Sequence, residues 1–354
     1  DKKFTIIIPP GSDYHLSYEA GDKVYFEDDI FVPENSAYQE IKKKHSIIDI
    51  STTPELSAEV TLLPIRQFEL DCAIIFSDIL IPLKDMGVSF EYKAGYGPLI
   101  HNPIRTKEDV YQLKEVVAER DFHYTGKALE ILKGELNVPC IGFVGGPFTL
   151  ASYMIEGGPS KNYVKMKSLM YQESEAWNHL MDKLAVDMAN YLNFQIDSGA
   201  MVVQIFDSWI GALDVDDYRE YVYPHMQKMM HIIKQKNPAT PVILFGVNAR
   251  HLNPMFKELG ADVVGIDWKT NLANEWKRLE YEVAVQGNLD PTALFADFGL
   301  IEQKAKKILD SVGNRNGFIF NLGHGILPGT PVENVEKLAR FVRSYSHEPV
   351  AEPS

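Results

Sequence analysis

From about residue 70 onward the chain repeats one unit. A short apolar run ends in a polar or glycine-containing turn, and a longer stretch follows with apolar residues every three to four positions. The runs are Cys72–Asp78 (CAIIFSD), Pro139–Pro147 (PCIGFVGGP), Met201–Ser208 (MVVQIFDS), Pro241–Asn248 (PVILFGVN), Ala261–Trp268 (ADVVGIDW), Glu282–Asp290 (EVAVQGNLD) and Gly317–His324 (GFIFNLGH). Hydrophobicity that is continuous rather than alternating predicts parallel strands covered on both faces. The intervening stretches predict helices: Ser160–Ser198, long enough for two, then Tyr218–Lys236, Leu252–Gly260, Ile301–Val312 and Pro331–Ser346.

Regular strand–helix alternation with right-handed crossovers leaves two architectures, a barrel or a doubly wound open sheet. No GxGxxG or P-loop opens a helix, which removes the main support for a nucleotide-binding sheet. Seven strands are clear, and an eighth is expected before residue 70, from Phe4–Ile8 (FTIII) or Lys23–Phe26 (KVYF). The prediction is an α/β chain folded as a single-domain (β/α)8 TIM barrel over residues 38–346. Residues 1–37 form an atypical N-terminal segment able to supply the first barrel strand, and residues 347–354 form a tail.

In such barrels ligands meet the C-terminal ends of the strands. The polar residues and turns ending the runs are Asp78, Gly146, Asp207 with Ser208, Asn248, Asp267, Asn288 with Asp290, and His324. Asp78, Asp207, Ser208 and Asp290 each precede a helical stretch, so each is equally a candidate N-cap. His324 lies between two glycines, where a backbone can come close to a ligand.

Composition narrows the chemistry. With 35 Lys and Arg against 49 Asp and Glu, the formal net charge is −14. This disfavours nucleic acid as a partner, and any site for an anion must be locally basic. The two cysteines, Cys72 and Cys140, lie within apolar runs and read as small buried hydrophobes in a reducing compartment. No metal site is expected: the ten histidines never pair with a helical glutamate at the spacing of a zinc motif, and no Cys-x-x-Cys occurs. No run reaches the roughly 20 apolar residues of a membrane span, and no leader pattern is evident, so a cytoplasmic protein, or a mature chain whose targeting segment has been removed, is expected.

Five motifs carry a resemblance. FSDIL (Phe76–Leu80), GGPFTLASYMIEGG (Gly145–Gly158), FDSW (Phe206–Trp209), QGNLDP (Gln286–Pro291) and NLGHGILPGTP (Asn321–Pro331) resemble the uroporphyrinogen decarboxylase family in order and spacing. TPELSAEVTLLPIRQF (Thr53–Phe68) is also similar. The resemblance implies a (β/α)8 barrel acting as a homodimer. It implies removal of the four acetate carboxyls of uroporphyrinogen to give coproporphyrinogen, with no cofactor, a tetrapyrrole as small-molecule partner, and no membrane association. By the same resemblance, Asp78 holds the pyrrole N–H groups as the catalytic and substrate-binding carboxylate, and Tyr153, Ser208 and His324 bind substrate.

One part of the family pattern is missing. Its N-terminal arginine motif, of the form R-Q-A-G-R-Y, has no counterpart here, and the first arginine is Arg66. Replacement cations could come from Lys42, Lys43 and Lys44, from Arg66, or from Arg250. Arg250 is the preferred compensating cation because it follows a strand end. The alternatives are a tetrapyrrole-binding relative that has lost turnover, and a corrinoid-dependent methyltransferase on the same barrel with a zinc held by His and Cys.

Overall fold

The computed structural model describes residues 4–6, 16–18, 24–26, 36–93, 97–327 and 329–345. Eight parallel strands form one curved sheet, with helices packed outside it: β1 (Val24–Phe26), β2 (Ala73–Ile74), β3 (Cys140–Gly145), β4 (Val202–Phe206), β5 (Val242–Phe245), β6 (Val263–Gly265), β7 (Ala284–Leu289) and β8 (Phe318–Leu322). Pairing runs from β1 to β8 and then back through β7, β6, β5, β4 and β3 to β2. Joining the first strand to the last is what curls a sheet of successive βα units into a barrel. Of the two expected sources of the eighth strand, Val24–Phe26 takes that place. Phe4–Ile6 instead pairs antiparallel with Leu16–Tyr18.

The expected helices are present with adjusted limits. Ser160–Ser198 resolves into Val164–Gln172 and Ser174–Ser198. The segment Tyr218–Lys236 divides into Val215–Tyr221 and Tyr223–Lys236, the second carrying Pro224 in its first turn. Proline is tolerated there because the first N–H groups of a helix have no intrahelical partner. Among the described residues, no helix is long and apolar enough to cross a membrane.

The barrel floor is a ring to which seven strands contribute one side chain each: Cys72, Ile141, Val202, Ile243, Val263, Ala284 and Ile319. Side chains alternate across a strand, so the next inward tier lies two residues on. It comprises Ile74, Phe143, Gln204, Phe245, Gly265, Gln286 and Asn321, and within it Gln204, Gln286 and Asn321 are fully buried. The interior thus changes from apolar to mixed over one pleat and is packed, not a pore. Both cysteines stand at the floor end of their strands, away from the mouth. Burial drives the Cys140 thiol up to about 12 and the Cys72 thiol upward as well.

Ile243 is completely buried in the floor ring. Replacing it with alanine should lower unfolding stability by about 2–5 kcal/mol through lost burial and the cavity left behind. Denaturant unfolding monitored by far-ultraviolet circular dichroism measures this loss.

Candidate active site

At the C-terminal ends of the strands a cavity offers about 850 Å³ of free space, its open mouth included. The enclosed part measures about 250 Å³, just short of the roughly 300–1,000 Å³ typical of ligand-binding clefts. Phe143 and Phe206 contribute apolar lining, their rings meeting edge to face at 5.4 Å. Asp78, Tyr153, Ser208 and His324 all line this one cavity. Their four positions lie in different βα units, so the barrel brings together residues that span 246 positions from Asp78 to His324.

Asp78 lies on the loop after β2, where the Leu80 backbone N–H donates to its Oδ1 at 2.8 Å. That contact orients the carboxylate as an N-cap-like turn would, and Asp78 is still only partly buried in the cavity wall. Tyr153 projects from the helix Pro147–Glu156 and lies almost face to face with Trp209, ring centroids 3.9 Å apart at 32°. Tyr163 meets the same indole edge to face at 5.3 Å. His324 follows β8 and meets the Trp268 ring at 5.6 Å and 85°. Gly323 makes that approach possible, since a Cβ there would stand 2.3 Å from the Trp268 backbone nitrogen.

Tyr92 is a site residue the sequence reading did not single out. It belongs to an antiparallel hairpin, Phe90–Lys93 paired with Gly97–Ile100, that lies outside the βα repeat. Tyr92 and its cross-strand partner Pro98 both line the cavity. Burial, followed by the charge of Asp78 and a hydrogen bond to it, drives the Tyr92 phenol far above its ordinary value. The phenol therefore keeps its proton beside the Asp78 carboxylate.

The remaining strand-end residues secure the rim. Asp267 accepts from the Asn248 backbone N–H at 2.6 Å and from the Thr270 hydroxyl at 3.0 Å. The Asn288 side-chain amide donates to the carbonyls of Asp267 and Thr270 at 2.8 and 2.6 Å. Asp290 caps the short helix that follows it, accepting from the Thr292 N–H at 2.9 Å and from its hydroxyl at 2.7 Å. Asp207 is almost fully buried and accepts from Thr149, at the start of the helix that carries Tyr153.

The expected replacement cations are not at the cavity. Arg250 does not line it; its Nε donates at 2.9 Å to Glu275, whose side chain is completely buried. Burial opposes ionisation of Glu275, but hydrogen bonds from Arg278, Asn253 and Arg250 outweigh it and hold the carboxyl below its usual value. A buried carboxylate needs such partners, and this one takes Arg250 away from the mouth. Arg66 is exposed and pairs with Glu135 at 3.4 Å, Lys43 pairs with Glu40, and Lys42 lies over the Tyr38 ring. Lys269 does not line the cavity either; its ammonium lies 5.1 Å from the Trp268 ring centroid and donates to Asn248 Oδ1 at 2.8 Å. Trp268 thus joins Lys269 to His324. Among the described residues, no three His, Cys, Asp or Glu side chains converge in a metal-holding group.

Comparison with known proteins places this geometry. The sequence profile described as uroporphyrinogen decarboxylase (URO-D) matches residues 35–345. The chain belongs to the uroporphyrinogen decarboxylase family. It is 48% identical over 311 residues to the uroporphyrinogen decarboxylases of Staphylococcus aureus strains JH9 and Newman, spanning 87% of this chain and 89% of each relative. A solved methyltransferase from Methanosarcina mazei superposes with a TM-score of 0.74 at 19% identity, covering 92% of this chain and 94% of that one. At that identity the likeness is one of fold. Asp78, Tyr153, Ser208 and His324, the positions carried over from the family motifs, are those the barrel gathers around one cavity.

Asp207 provides a pH test of the architecture. Burial raises its carboxyl to about 6, against the lowering effect of the Thr149 hydrogen bonds. Tyr218 faces it from the helix Val215–Tyr221, its own phenol driven up by burial and by the Asp207 charge. Between about pH 4 and 6 the native state holds a proton that the unfolded chain has released, so stability falls as pH rises through this window. The native penalty is absent below the window and fully present above it, on the order of 2–3 kcal/mol. In Asp207→Asn this component of the slope should vanish, as measured by denaturant unfolding at pH 4, 5, 6 and 7.

Proposed function

We propose that this chain decarboxylates the four acetate side chains of uroporphyrinogen to give coproporphyrinogen, using its own side chains and no metal or organic cofactor. The observation that carries this reading is one carboxylate among the described lining, Asp78, at the open end of the barrel, sharing a cavity with Tyr92, Tyr153, Ser208 and His324. Membership of the family supports the same substrate.

The chemistry needs little more. Protonation of the ring carbon next to the one that bears an acetate turns the ring into an electron sink, with positive charge shared by the ring nitrogen. The carbon–carbon bond to the carboxylate then breaks, carbon dioxide leaves, and the bonding pair flows into the ring. A proton added to the exocyclic carbon completes the methyl group, and loss of the proton first added to the ring restores the pyrrole. Asp78, seated among the N–H groups, would stabilise the developing cation by charge already in place before reaction. The apolar walls of Phe143 and Phe206 would exclude water and strengthen that interaction.

Tyr153, Ser208 and His324 would bind the polar periphery, with Tyr92 forming the wall beside Asp78. Lys269 would serve as a cation for substrate carboxylates at the rim, the role first expected of Arg250. A homodimer in the cytoplasm fits the reading: the family resemblance carries the dimer, and two deeply buried thiols suit a reducing compartment. Sedimentation velocity of the purified chain tests the dimer.

Incubation with uroporphyrinogen under anaerobic conditions, followed by chromatography, should reveal porphyrinogens with seven to four carboxyls. Binding without any such product at high enzyme loading would favour the alternative of a relative without turnover and overturn the decarboxylase. Asp78→Asn should reduce kcat by at least about 100-fold, with a thermal midpoint close to that of the parent. Lys269→Ala should raise KM about two- to fivefold with little change in kcat, the magnitude of an exposed ion pair. An unchanged KM would remove Lys269 from the site.

A further inference from the structure

We infer that Asp207 is a positioning residue: it ties the helix that carries Tyr153 to the loop that carries Ser208, and so sets these two substrate-facing side chains against each other. The inference rests on the decarboxylase reading only for its kinetic test.

The helix Pro147–Glu156 begins without a cap of its own. Its N-cap is Gly146, which has no side chain, and Pro147 opens the first turn. The first N–H groups of a helix need an acceptor from elsewhere. Asp207, at the end of the neighbouring strand β4, supplies one. The Thr149 backbone N–H donates to Asp207 Oδ1 at 3.0 Å, and the Thr149 hydroxyl donates to the same oxygen at 2.7 Å. That hydroxyl in turn accepts from the Trp209 backbone N–H at 3.1 Å. Asp207, Thr149 and Trp209 therefore close a hydrogen-bonded ring, with Ser208 held between its two loop members.

The ring controls the site for a geometric reason. Tyr153 stands four residues beyond Thr149 and shares its helix face. Its phenol rests on the Trp209 indole, the residue whose backbone the ring fixes. Moving Asp207 would thus shift Tyr153 through the helix and Ser208 through the loop. Gly146 has a matching constraint: a Cβ there would lie 2.4 Å from Asp207 Cγ, so only glycine admits the carboxylate. A buried carboxylate is an expensive way to fill space, and an apolar side chain of similar volume would serve packing at least as well. Its directional bonds to Thr149 account for its presence. The raised pKa of Asp207 is a consequence of this placement.

The test uses the whole chain with Asp207→Ala, Asp207→Asn, Thr149→Val and Thr149→Ser. Asp207→Asn retains an acceptor at Oδ1, and Thr149→Ser retains the bridging hydroxyl. Misplacing a binding group by about 1 Å can cost on the order of 100-fold in kcat/KM. Asp207→Ala and Thr149→Val should therefore raise KM for uroporphyrinogen about tenfold or more in the folded fraction, while the two conservative variants stay within about threefold of the parent. If activity falls only in step with folded protein while KM stays at the parent value, Asp207 merely stabilises the fold and the inference fails. Should Asp207→Ala not fold, Thr149→Val decides alone.

A readout without substrate separates this inference from the decarboxylase reading. The near-ultraviolet circular dichroism of Thr149→Val should lose the Tyr153–Trp209 component defined by comparison with Trp209→Phe. An unchanged spectrum would overturn the positioning role whether or not the chain turns over uroporphyrinogen.

Discussion

Eight short parallel strands can stand in a ring only if their inward side chains fill its centre. Here Cys72, Ile141, Val202, Ile243, Val263, Ala284 and Ile319 do so at one level. The register they fix determines the height of every residue above them. Asp78 stands six residues past Cys72, Ser208 six past Val202 and His324 five past Ile319, so all three arrive at the mouth together. A one-residue slip in any strand would turn its floor side chain to the helix side. The site is polar at the top because the ring is apolar at the bottom.

Much of this arrangement is legible in the sequence because strands buried on both faces leave uninterrupted apolar runs. The polar residue ending each run marks the mouth, which suffices to find Asp78, Ser208 and His324. The eighth strand was ambiguous because FTIII and KVYF carry the same local signal, and only pairing with β8 distinguishes them. Tyr92 was missed because its hairpin interrupts the βα repeat and carries no strand-end signature. Asp207 read as a cap for the helix after it, whereas it caps a helix on the neighbouring βα unit. Arg250 was assigned to the mouth from its place after β5, but the buried carboxylate of Glu275, far along the chain, claims it. Long-range partners of this kind leave no trace in local spacing.

The charge pattern of the site follows from these placements. A chain with a net charge of −14 surrounds a cavity whose described lining contains the carboxylate Asp78 and neutral donors, with the imidazole of His324 toward the rim. Negative charge at the centre suits a ligand that turns N–H groups inward. The ammonium of Lys269, reached through the Trp268 ring, adds positive charge farther out. Such a radial arrangement matches a macrocycle with a donor interior and an anionic edge, although the protein as a whole is acidic.

The contact between Gly323 and Trp268 has a further consequence. There, backbone rests on backbone, and a single added methyl group would collide with the main chain. That sector of the wall has no slack, so divergence in ligand preference cannot readily arise through it. The wall formed by Tyr92 and Pro98 is different, because it consists of side chains on a hairpin outside the strand ring. Substitution there reshapes the opening without displacing a barrel strand, and it is on this flank that descendants of the fold have room to accept new ligands.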